Sequence, residues 1–78
     1  MKTAELVTAL GIRATPTHLI LVLPDGEHSV RWEECSPVLA AATHAQRHLA
    51  ELSPSGYGIH WPLLDEDLTV GGLLDLAG

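Results

Sequence analysis

Seventy-eight residues allow one domain with a modest core, and ten acids against four bases leave a formal charge of −6. That balance opposes autonomous binding to phosphate backbones and favours a basic protein partner, whose approach it would steer. The 46% apolar fraction argues against intrinsic disorder, and a single cysteine, Cys35, rules out an internal disulfide and suits a reducing cytoplasm.

A chain this short is marginally stable unless oligomerisation or a partner helps it. With no Phe, and only Trp32, Tyr57 and Trp61 aromatic, its core must be mostly aliphatic. The start, Met1 to Leu6, carries an acid where a secretory signal would be apolar. No apolar run nears the ~18 residues of a membrane span. A cytoplasmic location without membrane contact is expected.

Residues 3–14 admit two readings. Thr3 can cap a short helix with Leu6, Val7 and Leu10 on one face and Gly11 as its stop, or the stretch can be an edge strand running to Ala14. From Thr17 to Leu23 the chain is apolar and partly β-branched, and Pro24-Asp25-Gly26 follows, with Gly26 free to take the positive φ of a tight turn. Glu27 to Trp32 then alternates, with His28, Val30 and Trp32 on one side and Glu27, Ser29 and Arg31 on the other. A β-hairpin over 17–32 is predicted, its first strand apolar on both faces and therefore inside a sheet.

Ser36-Pro37 is a natural N-cap and first helical residue. Cys35, Val38, Leu39, Ala42, Ala45, Leu49 and Leu52 recur at three- and four-residue steps, which predicts one amphipathic helix from about 36 to about 52. Thr43, however, is a second N-cap candidate. Residues 49–53 can instead be a strand leading through Pro54-Ser55-Gly56 to an antiparallel partner, Tyr57 to Trp61, which Pro62 ends. Leu63 to Leu68 reads as a loop with solvated acids, and Thr69 starts a last helix, Val70 to Leu74, weakened by Gly71 and Gly72.

Gly58-Ile59-His60-Trp61-Pro62, followed by Leu64-Asp65-Glu66-Asp67-Leu68 and Val70-Gly71-Gly72-Leu73-Leu74, resembles a bacterial family, the domain of unknown function 2442. The Leu-Ile-Leu-Val-Leu-Pro-Asp-Gly hairpin and the Ala42-Thr43 to Arg47 segment fit the same family, so the likeness covers about residues 5–76 of a single 1–78 domain. It implies an α+β fold: a small antiparallel or mixed sheet of about four to five strands with two or three short helices, a break near Thr43, and a second hairpin at about 48–61. Relatives are often encoded beside another small unknown family, numbered 4160, in what resembles a toxin–antitoxin pair. Some relatives carry an appended helix-turn-helix, for which this chain has no room. The chain departs from the family at His44 and Ala45, where relatives often have a Pro and acids, and at Ala50, where they tend to have a large aromatic.

The candidate chemistry is sparse. His60 with Asp65 and Asp67 can be drawn as a metal site or an acid–base pair, which would make the protein a small metal-dependent enzyme, but the spacing matches no ligand template. A structural role, with His60 bonding into the acidic loop, is favoured. His44, His48 and Glu51 fall at i, i+4 and i+7 of the single-helix reading, yet Ala45 stands where the zinc-helix motif needs its Glu. Cys35 has Glu33 and Glu34 opposing thiolate formation, so it reads as a buried small hydrophobe. Nucleophile elbow, phosphate loop and dinucleotide fingerprint are all missing. No catalytic, cofactor or metal residue is assigned. The expected docking surface is Trp61, Leu64, Asp65, Glu66 and Asp67, an aromatic anchor beside orienting charges. The expected function is an antitoxin-like masking of a basic protein, with acidic mimicry by an accessory or inhibitory protein of a mobile element as the alternative.

Overall fold

In the computed structural model, residues 7–77 are described. The elements run β1 (Gly11–Ala14), β2 (His18–Leu23), β3 (Gly26–Arg31), α1 (Trp32–Cys35), α2 (Pro37–Ala41), α3 (His44–His48), β4 (Glu51–Leu52), β5 (Gly58–Trp61), β6 (Glu66–Thr69) and α4 (Val70–Ala77). The fold is α+β, as expected, but the strands divide into two antiparallel sheets, β1-β2-β3 and β4-β5-β6, instead of joining one sheet of four to five. Four helical segments lie among the described residues, where two or three were expected.

The apolar strand β2 is the centre of the first sheet, pairing Ile12↔Leu21 on one side and Leu19↔Val30 on the other. Its hairpin with β3 falls where the alternation places it, and Gly26 takes φ +133°, a conformation that costs glycine little. The strand reading holds for the end of the 3–14 stretch, since β1 is an edge strand. The helix proposed to start at Thr3 begins outside the described residues.

Trp32 does not continue β3. The chain leaves the strand at Arg31 and makes one helical turn, with Glu33 and Glu34 in that turn and Trp32 and Cys35 facing inward. The bend buries the indole completely and lets its Nε1 donate to the Thr15 carbonyl at 2.8 Å. Ser36 then caps α2 as predicted, its Oγ accepting from Leu39 N at 3.1 Å, with Pro37 as the first helical residue.

The single helix over 36–52 does not form. Ala42 and Thr43 are extended, and Thr43 opens α3 with a reciprocal capping box: Gln46 N donates to Thr43 Oγ1 (3.1 Å) and Thr43 N donates to Gln46 Oε1 (2.9 Å). Arg47 secures the break. Its guanidinium donates to the carbonyls of Leu39 (2.9 Å) and Ala40 (3.0 Å), groups at the C-terminal end of α2 that a continuing helix would have satisfied itself.

The segment expected to be loop from Leu63 to Leu68 is shorter than that. Pro62 stops β5, Leu64 N donates to the Trp61 carbonyl at 3.1 Å, and Asp65 turns the chain at φ +51°, a region Asp tolerates. Glu66 to Thr69 then return as β6, pairing Ile59↔Leu68 and His60↔Asp67. Both sheets feed one core of Leu19, Leu21, Val30, Trp32, Leu39, Ile59, Trp61, Val70 and Leu73, in which the two indoles meet edge to face, 6.5 Å apart at 81°. Helix α4, started by Thr69 Oγ1 accepting from Gly72 N at 3.0 Å, lies against β3 and closes that core. No helix among the described residues is long and apolar enough to cross a membrane.

Candidate functional site

Strand β5 organises the second sheet. Its two-residue period turns Ile59 and Trp61 into the core and leaves Gly58 and His60 on the outer face. Pairing sets Glu51 and Asp67 directly opposite His60 on its two neighbours, and Thr69 opposite Gly58. His60 Nδ1 and Asp67 Oδ1 are 2.7 Å apart, so the expected bond between His60 and the acids is present, made across strands instead of into a loop. Asp65 ends the turn below this row and stays exposed; Glu66, opposite Trp61, is half-buried.

Of the five residues expected to dock a partner, Trp61 is removed by its own alternation. It is 0% exposed and its indole donates to the Arg47 carbonyl at 3.1 Å, so it anchors the core and not a partner. Leu64 is half-buried against that core. Asp65 and Asp67 stay on the surface, joined by Glu51, which only the single-helix alternative places on one face with His44 and His48. That helical trio is dissolved: α3 ends at His48 and Glu51 belongs to β4. The imidazoles of His44 and His48 still neighbour each other, 5.9 Å between centroids. No group of three or more His, Cys, Asp or Glu side chains among the described residues converges as a metal site. Cys35 is buried, and loss of solvent pushes its thiol up to about 11, well away from a nucleophile's range.

The arginines explain where the negative field survives. Arg13 makes a fork to Glu27 (2.8 and 3.2 Å), and this hydrogen-bonded contact holds the Glu27 carboxyl below its ordinary value. Arg31 sits 3.6 Å from Glu33. Arg47 is spent on two carbonyls and on the face of Trp32, 5.3 Å from the ring centroid. All three described arginines are thus committed on or near the first sheet and the helices, while Glu51, Asp65, Glu66 and Asp67 share the second sheet and its turn with no cationic Lys or Arg side chain among the described residues paired to them.

A groove of about 360 Å³ crosses that outer face. Gly58 and Thr69 lie along it, Pro54 and Tyr57 at the hairpin end, and Glu51, His60 and Asp67 at the other. The alternation around Ile59 was the sequence signal that would have found it, since it places a residue without a side chain beside His60.

Residues 9–78 match the family model described as a protein of unknown function, DUF2442. The chain belongs to the DUF2442 family. A crystal structure of a protein of unknown function from Rhodospirillum rubrum ATCC 11170 is similar, with 28% identity, a TM-score of 0.78, and 91% of this chain and 89% of that one covered. No curated protein matches significantly. The family fold therefore stands on sequence and on structure together.

Proposed function

We propose that the protein is a cytoplasmic protein-binding domain that neutralises a basic partner by stoichiometric masking, in the manner of an antitoxin. The observation that carries this reading is the separation of charge. The arginines are engaged by partners within the chain, and the acids Glu51, Asp65 and Asp67 stand exposed on the second sheet and its turn. Such a face attracts a basic surface and sets its orientation. β6 is an edge of its sheet, so its backbone offers strand pairing beside the charges.

The test is retention of a basic protein from the native host by the immobilised chain. Retention at low ionic strength that falls as salt rises is expected, because exposed charges are screened over about 10 Å at 0.1 M salt. The triple change Asp65→Asn, Glu66→Gln, Asp67→Asn is expected to abolish it; Asn is the fitting replacement at Asp65 because it too tolerates the left-handed backbone. Absence of any retained basic protein at both ionic strengths refutes the reading.

A further inference from the structure

The glycine at position 58 is unexplained by the fold. Its φ is not in the left-handed region, and a Cβ placed there would meet only the Leu68 carbonyl oxygen at 3.6 Å, an ordinary contact. Glycine at a strand position forfeits side-chain packing and backbone entropy, and one physical use of it is to let another backbone or molecule approach closely. What surrounds Gly58 is fixed. Ser53 Oγ accepts from Tyr57 N and Gly58 N, each at 3.1 Å, and Gly56, at φ +77°, is bonded beneath Ala9 (Ala9 N to Gly56 O, 2.7 Å). These bonds tie down the turn at the hairpin end of the groove, so a ligand does not have to order it.

We infer that this groove receives one basic side chain, an arginine or a lysine, of the protein partner. The aliphatic stem lies over the bare backbone at Gly58, and the cationic head meets the carboxylates of Glu51 and Asp67, which flank His60 in register. Asp67 is held in place by His60 through one oxygen, which leaves its other oxygen to accept from the incoming cation. This inference rests on the masking reading and gives it a central contact.

The experiment titrates the ¹⁵N-labelled full chain with a capped Gly-Gly-Arg-Gly-Gly peptide and with its citrulline counterpart, which has the same shape without the charge. The arginine peptide is expected to give saturable amide shifts concentrated at Gly58, His60, Asp67 and Thr69, and the citrulline peptide to bind about tenfold more weakly. Gly58→Val fills the floor without touching any charge. It is expected to abolish the shifts while raising the unfolding temperature by about 4 °C, since a β-branched residue suits a strand. Glu51→Gln is expected to weaken binding about threefold, and Glu34→Gln, the same charge change outside the groove, to leave it unaltered.

Gly58→Val that binds like the wild type, or shifts scattered over Glu33, Glu34 and Asp75, overturns the inference. If Gly58→Val retains the protein partner and the triple acid variant loses it, the groove is wrong and masking stands. If both variants retain the partner, masking itself fails, and so does its proposed central contact.

Discussion

Arg47 clamps the break between α2 and α3 onto Trp32, and its replacement by Ala is expected to destabilise the fold measurably. The guanidinium makes two charge-assisted hydrogen bonds, to Leu39 O and Ala40 O, and lies over Trp32. Hydrogen bonds to charged groups contribute about 1.5–3 kcal/mol each when buried. Arg47 is only half-buried and one of its bonds is exposed, so the low end applies, about 1 kcal/mol apiece after solvent screening. The stacking adds about 0.5–1 kcal/mol. Arg47→Ala should therefore cost about 2–3 kcal/mol, a large share of the ~5–8 kcal/mol expected of so small a domain, and lower the unfolding temperature by about 10–15 °C. Urea unfolding followed by tryptophan fluorescence measures it, with near-ultraviolet circular dichroism reporting the loosened Trp32. Arg47→Lys separates the possible causes. Lysine keeps the charge and can sit over the ring, but it lacks the planar fork that reaches two carbonyls at once, so it should restore less than half of the loss. An Ala variant within about 0.5 kcal/mol of the wild type would refute the clamp. Full restoration by Lys would show that a point charge suffices and that the fork is incidental.

Two further changes test the same architecture. Thr43→Ala removes the capping box at α3 and should cost about 1 kcal/mol, with faster hydrogen exchange at Gln46 as the local readout. For Cys35, burial raises the thiol from 9.0 to about 11, so the folded state holds its proton where the unfolded chain releases it. Stability gained from this group is present below about pH 9 and is lost as pH rises toward 11. Native protein should resist a thiol-specific disulfide reagent at pH 8 and react once unfolded, and Cys35→Ala should flatten the alkaline fall in stability relative to the wild type.

The first hairpin was legible because its information is local: alternation in 27–31, an unbroken apolar strand before it, and a glycine where the turn needs positive φ. The break at Thr43 was legible only in part. Apolar spacing alone draws one helix, whereas Thr and Gln three residues apart write a second start, and the bond that makes the second reading win, Arg47 to Leu39, has no sequence signature. Trp61 misled because composition and geometry disagree there. Beside three acids it resembles an exposed anchor, yet it shares the parity of Ile59, and its N–H finds a carbonyl fourteen residues away that no local pattern announces. The same parity then carries the argument outward. A strand that turns Ile59 and Trp61 in must turn Gly58 and His60 out, so β5 is filled on its core side and half empty on the other. An empty position at the start of a four-residue central strand forgoes side-chain packing in a domain with little stability to spare, while two residues on, His60 is flanked by the carboxylates of Glu51 and Asp67. The proposed groove gives that bare position a use, and the opposite signs expected for Gly58→Val separate two causes: firmer folding follows from strand propensity, and weaker binding follows from the filled groove.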